Sequence, residues 1–169
     1  MTVKFAAAIY TPKQSDKSAL PNFAKQLKKA GVNVAGIIQE STVLPGDTKR
    51  TIESIDIQNG NRIPIKNPMK NEEQCGLDVS NLIDTSAILR NVLKNRPDLV
   101  LVEKFGVQEQ EGRGLSDEIM QIIVEGIPLL IAVPEPALEI WQNMTGGMGV
   151  VIKYETCEMQ HWFSSLPEA

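Results

Sequence analysis

Asp98-Leu99-Val100-Leu101-Val102-Glu103-Lys104-Phe105-Gly106-Val107-Gln108-Glu109-Gln110-Glu111-Gly112-Arg113-Gly114 is the stretch that decides the architecture of this chain. The apolar run from Leu99 to Val102 has strand length and no polar position on either side of the pleat, the pattern of a strand buried on both faces. It stops abruptly in a segment carrying Glu103, Lys104, Glu109, Glu111 and Arg113. In open α/β sheets ligands sit outside the carboxyl ends of the strands. Charge concentrated at that point marks where chemistry is expected.

The flanking sequence supplies the rest of such a sheet. Residues 3–9 form an apolar run of strand length, followed by a polar, Pro-containing segment at 11–18. A helix fits 19–30, with Phe23, Leu27 and Ala30 on one face and lysines on the other. Gly31 stands where a C-terminal cap is wanted, and 32–38 reads as the next strand. This β-loop-α-β order predicts parallel pairing with a right-handed crossover. Ile52, Ile55 and Ile57 alternate imperfectly along 51–57, Asn59-Gly60 is a hairpin turn, and 62–66 continues as its return strand. That β-hairpin, at 51–66, reads as an insertion flanked by polar loops. Asp78 or Ser80 caps a helix running to about Lys94, whose buried side is Leu82, Ile83, Ile88, Leu89, Val92 and Leu93.

Downstream, Ser116 is placed to cap a helix through about Glu125, with Asp117 and Glu118 at its positive end. Gly126 stops it, and 128–133 is another apolar strand. Pro134-Glu135-Pro136 opens a short helix to about Met144, the glycines at 146–149 turn the chain, and 150–153 is a final strand. Residues 155–169 are a C-terminal tail in which Trp162 and Phe163 fold back as a short helix or loop. The predicted fold is a single α/β domain over 1–169, a three-layer α/β/α arrangement around a mostly parallel sheet.

Composition narrows the function classes. The 169 residues fit one domain with a real core. A net charge of −4 gives no basic field for a phosphate backbone, so nucleic acid is not an expected partner. The apolar stretches, such as 127–133, are too short to span a bilayer. The opening residues run straight into a strand with no signal-peptide pattern. Cys75 and Cys157 match no metal or redox spacing, which suits reduced thiols in a cytoplasmic protein.

Three segments carry candidate chemistry. Aligned with G-x-x-x-x-G-K-[ST], residues 11–18 read Thr11-Pro12-Lys13-Gln14-Ser15-Asp16-Lys17-Ser18. Lys17 and Ser18 then hold the positions of the phosphate-contacting lysine and the magnesium-binding hydroxyl. Both glycines are replaced, by Thr11 and Asp16, and those glycines are what lets backbone N–H groups wrap a phosphate. Lys13, Ser15, Lys17 and Ser18 are the anion-contacting candidates of this degenerate phosphate loop; the alternative is a solvated loop capped by Ser15 or Asp16. In the 103–114 segment, Glu103 ends a strand where many NTPases hold magnesium. Glu109 and Glu111 offer oxygen ligands, and Lys104 and Arg113 offer cations to an oxyanion. The alternative there is an acidic loop with internal ion pairs. Cys75, just ahead of a helix, is a candidate nucleophile or ligand-contacting thiol, the alternative being a packed thiol. Gln39, closing the second strand, lines the same sheet edge.

The succession of the Lys17-Ser18 loop, Gly31-Val32-Asn33-Val34-Ala35-Gly36-Ile37-Ile38-Gln39, Cys75-Gly76-Leu77-Asp78, Lys104-Phe105-Gly106 with Glu109, Glu111-Gly112-Arg113-Gly114, and Gly126-Ile127-Pro128 resembles a bacterial family known as domain of unknown function 2478. The resemblance runs over most of 3–152. It implies a branch of the P-loop nucleoside-triphosphatase superfamily and a link to molybdenum-cofactor or nitrogenase-related metabolism, near whose genes members are often encoded. It marks Gln39, Cys75, Asp78, Lys104, Gly106, Glu109, Glu111, Gly112 and Gly114 as family positions. Two departures stand out: Glu103 replaces an asparagine, and the phosphate loop lacks its glycines.

The resulting expectation is a small-anion or nucleotide-binding module, with ligand held between 11–18 and 103–114. Lys17, Ser18, Lys104 and Arg113 meet negative charge, and Glu103 and Glu109 hold a cation, magnesium with a nucleotide, or orient the loop. The alternatives are an active nucleoside-triphosphatase, and a non-catalytic scaffold or homo-oligomer using Ile140, Trp141 and the Trp162-Phe163 tail.

Overall fold

The computed structural model describes residues 3–14, 18–43, 46, 50–66 and 79–167. Candidates Ser15, Lys17 and Cys75, with Asp16 and Asp78, lie outside the described residues. Seven strands form one sheet: β1 (Phe5–Tyr10), β2 (Val34–Val43), β3 (Arg50–Asp56), β4 (Arg62–Lys66), β5 (Leu99–Val102), β6 (Leu129–Pro134) and β7 (Val150–Lys153), in the order β4-β3-β2-β5-β6-β1-β7. From β2 to β7 every neighbouring pair is parallel, and β3 and β4 add an antiparallel hairpin at the β2 edge. The architecture is α/β with a mostly parallel sheet.

Alternation along the central strands divides the core in two. Val100 and Val102 point to one face, with Ile131, Val133, Leu89, Ile122 and Trp141. Leu99 and Leu101 point to the other, with Ala132, Phe23, Met159 and Trp162. Helices α2 (Val79–Asn95), α4 (Ser116–Val124) and α5 (Leu138–Met144) cover the first face; α1 (Ala19–Lys29) and α6 (Thr156–Ser165) cover the second. The centre of β1, Ala6-Ala7-Ala8, is fully buried and small, which leaves room above it for Leu20 and Phe23 of α1. Gly31 follows α1 at φ 82°, the left-handed conformation that ends a helix at little steric cost.

Three expected features are corrected and a fourth is resolved. The second strand runs on from 38 to Val43, because beyond Ile37 it leaves β5 and pairs with β3. The tail takes the helical of its two expected forms, α6, whose Phe163 ring packs edge-on against Phe23. The 103–114 segment contains a short helix, α3 (Val107–Gln110). Ser116 does not cap α4: it is the buried first helical residue, and the N–H of the preceding Leu115 donates instead to the Glu109 carboxylate, at 3.1 Å.

Candidate functional site

Parallel strands bring the ends of β1, β5, β6 and β7 to one edge of the sheet, and a cleft of about 690 Å³ opens there. Its walls combine Tyr10 from the end of β1, Ser18 and Lys25 at and beyond the start of α1, and Gln39 within β2. Glu103 and Lys104 come from the turn after β5, and Tyr154 follows β7. Pro12, Pro21, Ile38 and Pro134 supply apolar wall. The volume lies in the range of small-ligand pockets and far exceeds a bare oxyanion.

Glu103 ties three elements together. Its Oε2 accepts the Gln39 backbone N–H at 2.7 Å, and its Oε1 accepts the Tyr154 hydroxyl at 3.4 Å. The Tyr154 hydroxyl in turn accepts the Leu20 N–H of α1 at 3.3 Å. Burial raises the Glu103 carboxyl to about 7, outweighing the Gln39 and Tyr154 hydrogen bonds, which act in the opposite direction. Burial and the Glu103 charge raise Tyr10 to about 12 and push Tyr154 upward as well. The two tyrosine rings meet edge to face, with centroids 5.6 Å apart. Tyr154 is held by its backbone too: its N–H donates to Ile9, and its carbonyl accepts the Gln14 side-chain amide.

Lys104 is exposed at the mouth of the cleft with φ 96°, a conformation that side-chain-bearing residues rarely adopt. Its neighbours impose it. The Glu103 N–H is bonded to Ile37 and the Phe105 N–H to Ala132, while the Phe105 ring is fully buried against Trp141. Backbone strain held in this way, at a strand's carboxyl end, is the kind found at binding sites.

Further along, Glu109 turns inward. Its Oε1 accepts the Gly106 N–H and its Oε2 the Leu115 N–H, both at 3.1 Å, so the side chain clasps the segment across its base. Burial raises its carboxyl, against the lowering effect of the Leu115 and Gly106 N–H groups. A Cβ on Gly114, which lies at φ 63°, would run into Glu109 Oε2. Of the Glu-x-Glu-Gly-x-Gly pattern, the first Glu, Glu109, and the last Gly, Gly114, belong to this clasp.

The structure therefore gathers Ser18, Gln39, Glu103 and Lys104 around one cleft. Lys13 is exposed in the 11–14 turn and is not among the residues lining the cleft. In the 103–114 segment Glu109 orients its own loop, one of the two roles expected of it. Glu111 and Arg113 form an exposed ion pair with each other, the internal pairing given as the alternative, and neither is among the residues lining the cleft. Ser18 and Glu103 both line the cleft, and both Glu103 oxygens accept hydrogen bonds, from the Gln39 N–H and the Tyr154 hydroxyl. Among the described residues no group of three or more His, Cys, Asp or Glu side chains gathers as a metal site. Sequence reading missed Tyr10 and Tyr154. Each sits at a strand end, but a tyrosine closing an apolar run reads as core, and only strand order shows that the two rings meet.

The fold is an α/β architecture with a mostly parallel sheet and a cleft at the carboxyl edge of its central strands. The THEP1 crystal structure, from the hyperthermophile Aquifex aeolicus, aligns with a TM-score of 0.64 over 95% of both chains at 13% identity, a likeness of fold. The family described as Protein of unknown function (DUF2478) matches residues 5–162, and the chain belongs to it. The molybdenum import ATP-binding protein ModC 2 of Bradyrhizobium diazoefficiens is 34% identical over 161 residues, 95% of this chain. The chain spans only 18% of that relative's length. No helix among the described residues is long and apolar enough to cross a membrane.

Proposed function

We propose that this chain binds a small anion or a nucleotide in the cleft at the carboxyl edge of the sheet, without turning it over. The observation that carries the reading is Lys104: a cation held in a strained backbone at the mouth of a cleft lined from the ends of several strands. Lys25 and Ser18 line the same cleft, and Lys17 is the further anion-contacting candidate by its sequence position alone. The name of the ModC 2 relative pairs molybdenum with ATP, so molybdate is the second ligand to weigh.

The test is a thermal-shift screen with mononucleotides, ATP, GTP, phosphate, sulfate and molybdate, each with and without magnesium. A ligand at 100 times its Kd that binds only the native state adds about 2.7 kcal/mol of stability. A shift lost in Lys104→Ala or Lys25→Ala supports the site. Magnesium-dependent phosphate release abolished by Lys17→Ala would replace this reading with an active triphosphatase. No shift with any ligand would leave the scaffold reading.

A further inference from the structure

The contact between Tyr154 and α1 bears on which ligand the cleft accepts. In a phosphate-binding loop, N–H groups at the start of the following helix face the phosphate. Here Leu20, in the first turn of α1, donates its N–H to the Tyr154 hydroxyl, which donates in turn to Glu103. Tyr154 is only 4% exposed, with its N–H on Ile9, its carbonyl on the Gln14 side chain and its ring against Tyr10. It cannot swing aside without breaking several contacts at once. A polyphosphate placed at this corner would lose the Leu20 N–H and meet the Glu103 carboxylate.

The remaining walls suit a different ligand. Pro12, Pro21, Ile38 and Pro134 form apolar surface beside the Tyr10 ring, with Lys25, Lys104 and Glu40 as described charged residues of the lining. An apolar wall beside an aromatic ring suits a flat heterocycle, the two lysines suit an anionic group on it, and the volume fits a mononucleotide.

We propose that the Tyr154 hydroxyl and the Glu103 carboxylate stand where a terminal phosphate would bind, so that the cleft prefers an organic ligand with a single phosphate-like group, such as a nucleoside monophosphate, to a magnesium-bound triphosphate. The inference rests on the binding reading above and narrows it to a ligand class.

Calorimetric titration of the wild-type chain and of Tyr154→Phe with AMP, GMP, magnesium-ATP and magnesium-GTP tests it. The wild type is expected to bind at least one monophosphate about tenfold or more tighter than its triphosphate. Tyr154→Phe frees the Leu20 N–H and is expected to narrow that ratio about tenfold, chiefly by tightening the triphosphate. Equal wild-type affinities, or an unchanged ratio in the variant, would overturn the inference while leaving the binding reading intact. If neither protein binds any of these nucleotides, the inference falls; if the wild type also ignores phosphate, sulfate and molybdate, the binding reading falls with it. Should Tyr154→Phe fail to fold, Glu103→Gln removes the charge at the same corner and is expected to move the ratio in the same direction; an unchanged ratio there overturns the inference equally.

Discussion

Glu103 and Glu109 belong to one connecting segment, both are shielded from water, and each accepts two hydrogen bonds. Their partners differ. Glu103 is bonded to residues from β2 and from beyond β7, elements far apart in sequence, and it faces a cleft. Glu109 is bonded to Gly106 and Leu115, close neighbours along the chain, and closes a loop on itself. A carboxylate that joins distant elements reports on the relative position of the cleft walls. One that joins near neighbours reports only on its own turn. The two sites should therefore respond differently: damage to the clasp is expected as lost stability, and damage at Glu103–Lys104 as altered pH response and ligand affinity.

The largest effect is expected at the clasp. Gly114→Ala forces a side chain into a left-handed conformation and against Glu109, and should lower unfolding free energy by about 3 kcal/mol in a urea titration. Protein that still folds should keep its cleft affinity; loss of binding without loss of stability would erase the distinction between the two regions. Glu109→Ala strips two N–H groups of their acceptor and should remove about 2 kcal/mol, with Glu109→Gln recovering part of it.

The next effect belongs to Glu103 and has a sign. Its folded carboxyl titrates near 7 against an ordinary 4.5, so the folded state holds the proton more tightly. Its contribution to stability should therefore fall as pH rises from about 4.5 to about 7 and level off above, by roughly 1–2 kcal/mol with solvent screening. Melting temperatures of wild type and Glu103→Gln across that window check this; a parallel pair of curves would contradict it.

Lys104→Gly should raise stability by about 1 kcal/mol, because glycine relieves the positive φ, while ligand binding is lost. A variant that is both more stable and still binds would strip Lys104 of its role. The smallest effect is expected for Arg113→Ala, whose exposed pair with Glu111 should change stability by less than about 0.5 kcal/mol.

Most of the sheet was legible in the sequence, because doubly buried strands such as 99–102 and 129–134 announce themselves through short runs and glycine or proline stops. The hairpin was legible through Asn59-Gly60. The end of β2 was not, since 39–43 is polar and is a strand only by virtue of β3 beside it. The cleft was half legible: Gln39, Glu103 and Lys104 end apolar runs, a signal local to each. Tyr154 could not be found in that way. Its partners Leu20 and Glu103 lie 134 and 51 residues away, and they meet only because β1 lies between β6 and β7. Glu109 shows the converse, a charged motif that attracted a ligand role although its geometry is satisfied within its own loop.

The chain's two tryptophans lie on opposite sides of the sheet, Trp141 in one core and Trp162 in the other. Trp141 stands edge-on to Phe105, with centroids 5.3 Å apart, and Phe105 is the residue next to Lys104. Trp162→Phe would leave a single indole whose fluorescence senses that aromatic contact. The protein then carries its own optical gauge of the cleft mouth: any ligand that pulls on Lys104 shifts the light from Trp141 without a label being attached.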